Sequence, residues 1–233
     1  MSTPGALPLY LQISELLIRD IAAGRLIDGE RLPPERDMAA GLGIAVGTLR
    51  QALQALATKG LVERIQGSGN YIRAKADPSS VYALLRIELL EGGGLPTARV
   101  LSVDRLAKVP GLPPFGKGSD GHRIRRLRYL SGIVAAVEEI WLDGAQAARI
   151  APEDLSDSLY LYYRQRLNLW IARAEDRIGL GPLPDWTPAE FPHPAGTPLP
   201  MITRISRGQD GQSVEASFTW YDPDRVAYVA RLK

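Results

Sequence analysis

The residues with the most chemical potential are arginines at two kinds of spacing. In the run 122–128, Arg126 and Arg128 stand two residues apart. A strand would turn both guanidinium groups to one face, with Ile124 and His122 beside them. The next strand-like run, 133–142, carries Glu138. Two planar, permanently charged forks next to a carboxylate can grip an anion and still accept a hydrogen bond from a hydroxyl. Ser158 and Tyr160 add hydroxyls at the start of a predicted helix, where backbone N–H groups also favour anions. Tyr221 is placed to close such a pocket from a later hairpin. The plainer alternative is an exposed sheet face whose charges spread into water, with Glu138 as a surface partner of little energetic weight.

The second kind of placement lies near the N-terminus, where Arg36 and Arg50 precede the run Gln66-Gly67-Ser68-Gly69. By themselves these arginines read more often as solvated surface charges, and the glycines as a hairpin turn, although a glycine loop lets backbone N–H groups approach a phosphate without side-chain clash. No helix follows the glycines, so they are not a nucleotide-binding phosphate loop.

Composition excludes other chemistries. The 233 residues contain no cysteine and two histidines, His122 and His193, which rules out disulfides, thiolate metal sites and a histidine cage. No nucleophile–base pair or metal cluster is legible, so no catalysis, cofactor or metal is expected. His193 sits in the proline-rich Phe191-Pro192-His193-Pro194 and reads as structural. Trp141, Trp170, Trp186 and Trp220, with Tyr162 and Tyr163, read as core or dimer packing. No apolar run approaches roughly 18 residues, and MSTPGALPLY lacks the features of a secretion signal. A cytoplasmic protein with no membrane partner is expected. Residues 1–75 hold nine Lys/Arg against seven Asp/Glu, and residues 76–233 hold nineteen of each. That excess is too small to argue nucleic-acid binding by itself.

The elements that position these residues follow from periodicity. Pro8 suits a first helical position, and Tyr10, Ile13, Leu17 and Ile21 form one apolar stripe on a helix stopped by Gly24. Arg31-Leu32 reads as a short extended piece, and Pro33-Pro34 starts a second helix over 35–41. After a turn at Gly43, a third helix over 46–59 buries Leu49, Ala52, Leu53 and Leu56 and stops at Gly60. Two short strands, 61–65 and 70–74, flank the glycine loop. This order is that of a winged helix-turn-helix. The third helix can enter a major groove, with Gly47, Thr48, Arg50, Gln51 and Gln54 facing outward to phosphates and bases.

The run LPPERDMAAGLGIAVGTLRQALQALATKGLVERIQGSGNYI resembles the DNA-binding domain of the GntR family of bacterial regulators. The resemblance implies that Arg36 grips the DNA backbone, that Arg50 and Thr48 belong to the recognition helix, and that Gly67 and Gly69 enter the minor groove. Many relatives carry Ser-Arg where this chain has Ala45-Val46. That change removes a helix-capping hydroxyl and a guanine-reading arginine, so the operator sequence should differ while the mode of binding stays.

Farther along, Asp77-Pro78-Ser79-Ser80 reads as a linker and helix N-cap. Val81, Leu84, Leu85 and Leu89 suit a helix ending at Glu91-Gly92-Gly93-Gly94, a flexible connector. Strands are expected over 98–104, 121–130, 133–142, 200–206, 213–221 and 226–231. Helical stretches are expected near 106–109, 144–150 and 158–167, with hairpin turns at Ser131-Gly132 and Asp210-Gly211. The result is an α+β domain on a mostly antiparallel sheet. RLRYLSGIVAAVEEIWL, SLYLYY and GQSVEASFTWYDPDR in this half resemble the UTRA ligand-binding domain of the HutC branch of the GntR family, which has a chorismate-lyase-like fold.

That resemblance implies a small, often anionic effector that releases DNA, with Arg126, Arg128, Glu138, Ser158, Tyr160 and Tyr221 on contact positions. Ser80, Val81 and Tyr82 match another contact region. Relatives often have Arg-Gly before the aspartate matching Asp224, where this chain has Asp222-Pro223, which argues for a less highly charged effector. The expected organisation is a winged helix-turn-helix over 1–75, a linker and connecting helix over 76–96, and an effector-binding and dimerisation domain over 97–233. The whole reads as a homodimeric repressor on an inverted-repeat operator in duplex DNA. The alternatives are a chorismate-lyase-like enzyme, because that fold includes a catalyst, and an effector-free DNA binder.

Overall fold

The computed structural model describes residues 8–73 and 84–231. The chain divides into two compact units, one built mainly from the first 86 residues and the other from Ile87 to Tyr228.

In the first unit, α1 (Leu9–Ala22), α2 (Glu35–Gly41) and α3 (Val46–Thr58) precede a hairpin of β1 (Val62–Ile65) and β2 (Gly69–Ile72). Pro8 sits one residue before the helix rather than inside it. The stripe on α1 buries Ile13, Leu17 and Ile21, joined by Leu16 and Ile18, and α3 buries Leu49, Ala52, Leu53 and Leu56. The two helices pack together, and Ser14 Oγ donates to the Ala52 carbonyl at 3.3 Å. Burying each such aliphatic side chain contributes about 1.5–3 kcal/mol. Gly24, Gly43 and Gly60 all have positive φ after a helix end, the conformation in which a side chain is disfavoured. Arg31 pairs with Tyr71 as a short bridge beside the hairpin. Ala45 precedes α3 with no side-chain cap, as its methyl group dictates.

The second unit is built on a six-stranded antiparallel sheet. Its strands are β4 (Pro96–Ala107), β5 (Asp120–Leu130), β6 (Ile133–Asp143), β7 (Ile171–Pro182), β8 (Pro198–Gly208) and β9 (Ser213–Tyr221). Their order is β4-β5-β6-β9-β8-β7. β3 (Ile87–Leu89) pairs separately with β10 (Val226–Tyr228). One helix, α4 (Leu159–Arg166), follows a Ser158 N-cap whose Oγ accepts from the Leu161 N–H at 3.3 Å. Leu127 of β5 joins a core of Val137, Leu183, Phe191, Leu199 and Trp220, with Tyr129 packed against it. A second cluster joins Phe115, Trp141 and Ala216. Tyr162 and Tyr163 are buried, and Trp186 packs edge-on against Trp220 at 6.3 Å, while the Arg164 guanidinium covers Trp170 at 4.5 Å.

Several expected elements differ. The helix expected to end near Glu91 is, in its described part, a turn and strand β3. Glu88 there is buried and accepts from the Gly93 N–H at 3.3 Å. The glycines that follow form a tight turn rather than a flexible connector. Gly94 has φ +103°, and a Cβ there would lie 2.8 Å from Leu130 Cβ. Ser80, Val81 and Tyr82 lie outside the described residues. The helix expected near 106–109 is the end of β4, because Leu106 and Ala107 pair with Gly121 and Asp120. The helix expected over 144–150 shrinks to one 3-10 turn, Gly144–Gln146. The last strand stops at Tyr228 rather than reaching residue 231. β7 was not anticipated: it is an edge strand whose side chains are mostly exposed, so it shows no apolar alternation.

Candidate nucleic-acid interface and effector site

On α3, Gly47, Arg50, Gln51 and Gln54 are exposed and Thr48 is half-buried, while the intervening Leu49, Ala52 and Leu53 are buried. The polar side of the helix therefore faces away from the core. Arg36 on α2 is exposed too. At the hairpin tip, Gln66, Gly67 and Gly69 are exposed, and Ser68 is half-buried with its hydroxyl 2.7 Å from Tyr71 Oη. Gly67 (φ +74°) and Gly69 (φ +128°) adopt backbone that other residues rarely take.

Sequence reasoning missed how these parts are tied together. The Glu35 carboxylate accepts from Arg50 Nε at 2.6 Å, Arg64 Nη2 at 3.2 Å and Asn70 Nδ2 at 3.5 Å. The bond from Arg50 comes first among the interactions holding the Glu35 carboxyl below its usual range. Glu35 directly follows Pro34 at the start of α2, a spacing that gave no hint of this role.

In the second unit, Arg126 pairs across the β5–β6 ladder with Glu138. Its Nη2 lies 2.7 Å from Glu138 Oε2, and Arg128 meets the same carboxylate at 3.1 Å through Nη2 and 3.2 Å through Nε. All three residues are buried, which excludes the exposed-face alternative. Burial alone would raise the Glu138 carboxyl, but Arg126 and Arg128 hold it down at about 2. Burial also pushes Arg126 below its usual value, against the pull of Glu138. Two buried cations thus oppose one buried anion. Arg126 Nε has no hydrogen-bond partner among the described residues.

The start of α4 closes on this trio. The Asp157 carbonyl accepts from Arg126 Nη1 at 3.3 Å and Arg128 Nη1 at 3.2 Å. Ser158 is adjacent and buried. Tyr160 is on α4, but its hydroxyl lies 2.9 Å from Ser206 Oγ and donates to Glu215 at 3.1 Å. Tyr163 donates to the same carboxylate at 2.8 Å, and burial raises both the Glu215 carboxyl and the Tyr160 phenol. Tyr221, buried at the end of β9, pairs with Ala136 beside the arginine strand, and burial raises its phenol as well. Asp157, Ser206 and Glu215 escaped the sequence analysis. Ser206 and Glu215 lack an arginine-like signature, and Asp157 contributes only its backbone to the arginines.

The opposite face of the sheet holds an open cleft of about 800 Å³ lined by Trp186, Trp220, Phe218, Met201, Arg125 and Glu139. Its Arg125 is already satisfied by Glu139 at 2.8 Å and by the Trp186 ring at 4.8 Å. It therefore lacks the unbalanced charge of the Arg126 site. Ligand atoms of His193, Asp222 and Asp224 gather within 4.8 Å. Asp222 is nevertheless occupied by His193 at 3.1 Å, the Asp224 N–H at 3.0 Å and Arg225 at 3.1 Å, which makes a loop clasp. Among the described residues, no helix is long and apolar enough to cross a membrane.

Comparison with known proteins agrees with this division. Residues 9–72 match the description of the bacterial regulatory proteins of the gntR family, and residues 92–227 match the UTRA domain. The chain is 61% identical over 231 residues to the HTH-type transcriptional regulator SmoD of Agrobacterium fabrum, covering 99% of each. It is 25% identical to the HTH-type transcriptional repressor NagR of Bacillus subtilis, covering 96% of this chain and 94% of NagR. The crystal structure of the possible regulator YydK of Bacillus subtilis superposes with a TM-score of 0.52 at 22% identity, over 97% of this chain and 100% of that one, a likeness of fold. These relatives are regulators, not enzymes. The chain belongs to the GntR family of bacterial transcriptional regulators, with a helix-turn-helix followed by a UTRA domain.

Proposed function

We propose that this regulator is a cytoplasmic homodimeric repressor of the HutC type, with its DNA-binding and effector-binding functions divided near residues 75 and 97. In this reading α3 enters the major groove through Gly47, Thr48, Arg50, Gln51 and Gln54. Arg36 meets the backbone, and Gln66, Gly67, Ser68 and Gly69 meet the minor groove edge. A two-fold dimer fits an inverted-repeat operator. Exposed Ile178 and Leu180 on edge strand β7 are surface that a second subunit would favourably cover. The relative NagR carries the name of a repressor, which supports that sign of regulation.

The effector is a small anion seated on Arg126, Arg128 and Glu138, with Ser158, Tyr160 and Tyr221 around it. The observation that carries this reading is the buried excess of one positive charge, with Arg126 Nε still lacking a partner. A buried unpaired charge is costly, and a bound anion removes that cost. Binding that favours the state with low operator affinity releases DNA, and operator DNA weakens effector binding by the same factor. Thermal shift against sugar phosphates, carboxylates and their neutral analogues tests it. An anion that stabilises the wild type but not Arg128→Ala, and that lowers operator affinity, is the expected result. Stabilisation by no anion in such a panel favours an effector-free DNA binder.

A further inference from the structure

We infer that Arg64, on the first strand of the wing, is a DNA phosphate contact next to the base-reading Arg50 of α3, and that Glu35 is the positioning residue that holds both. This rests on α3 and the wing docking on duplex DNA.

The observation is a network joining three elements. Arg64 reaches Gln54 Oε1 of α3 at 3.0 Å, Asn70 Oδ1 of β2 at 3.2 Å and Glu35 of α2 at 3.2 Å. Glu35 in turn holds Arg50 of α3 at 2.6 Å. The guanidinium groups lie 14 positions apart in the chain, yet they share one carboxylate. Arg64 thereby ties the wing to the recognition helix, which sets the spacing between groove-reading side chains and the glycine tip.

The network does not exhaust its donors. A guanidinium has five N–H groups. Arg64 commits three to the protein, and Arg50, 64% exposed, commits its Nε. Two cations over one anion leave one positive charge facing solvent beside α3. Gln54 accepts through Oε1, which leaves its amide N–H groups turned to donate to a phosphate or a purine N7. Glu35 itself would repel phosphates, so its part is orientation rather than contact.

The test uses the full chain and two duplexes: one selected by the wild type from a random-sequence pool, and a mixed-sequence duplex of equal length. Arg64→Ala should weaken binding to both by roughly tenfold at 0.1 M salt and reduce the slope of log K against log salt by about one. Arg64→Gln, which keeps the side-chain stem, should lose the same slope. Glu35→Gln should keep the slope but reduce the ratio of selected to mixed-sequence affinity. That reduction should vanish in an Arg50→Ala/Arg64→Ala background, an outcome that a general folding defect would not produce. An unchanged slope in Arg64→Ala, while Arg50→Ala weakens binding, overturns the assignment of Arg64. A Glu35→Gln effect that persists in the double-arginine background overturns the positioning role. If Arg50→Ala also binds unchanged, the docking of α3 falls, and this inference falls with it.

Discussion

Both units set two guanidinium groups on one carboxylate, and they differ in water. Arg50 and Arg64 on Glu35 have side chains 64%, 38% and 23% exposed, whereas Arg126 and Arg128 on Glu138 are 5%, 5% and 8% exposed. In water, ion pairs contribute about 0–1 kcal/mol and exchange partners readily. Away from water, an uncompensated charge costs several kcal/mol and must be answered by another group. In the proposed function, the same stoichiometry lets an exposed surface trade a carboxylate for DNA phosphates in one place. In the other it leaves a buried excess of positive charge, which the proposed anion would answer.

The largest expected effect breaks the buried trio. Glu138→Ala leaves two guanidinium groups unopposed and should destabilise the second unit by about 3–5 kcal/mol, read by urea denaturation. Its pH dependence has a definite sign. The Glu138 carboxyl sits at about 2 in the folded chain against an ordinary 4.5. Its stabilising contribution is complete above the ordinary value and is lost as pH falls through about 2. Acid denaturation of the wild type should therefore steepen in that window, and Glu138→Gln should flatten it.

The next effect belongs to the exposed set. Arg50→Ala should weaken binding to the selected duplex by about tenfold to a hundredfold, the range of one good base contact, with an unchanged melting temperature. Gly69→Ala should cost about 1–2 kcal/mol, because φ +128° at this position excludes a side chain comfortably and a Cβ would sit 3.3 Å from Arg31 Nε. Hydrogen exchange of the hairpin reads that loss locally. The smallest effect is on stability in Glu35→Gln, within about 1 kcal/mol, against the several expected for Glu138→Ala. Equal losses in the two variants would erase the contrast between the trios.

Much of this was legible in the sequence for a physical reason. The spacing of Ile13, Leu17 and Ile21 and of Leu49, Leu53 and Leu56 states which helix faces are buried, and so which faces are free. Arg126, Arg128 and Glu138 were legible because strand alternation puts them on one face, and the ladder places Arg126 opposite Glu138. Burial was not legible, since a charged strand reads the same whether a helix start covers it or not. Glu35 and Arg64 were missed because their meeting depends on the angle between wing and helix, which no local pattern encodes. The strand Ile87–Leu89 reads as helix because Leu89 falls at helical spacing from Leu85 before it, while its partner Val226–Tyr228 is far away in the chain. The edge strand β7 gave no signal because exposure removes the alternation that marks a strand.

The most direct measurement is a fluorescence anisotropy titration of the selected duplex with the wild type and with Arg50→Ala, each checked for an unchanged melt. The account predicts affinity at least about tenfold weaker for the variant. Equal affinity in a folded Arg50→Ala chain would contradict the docking of α3 on DNA.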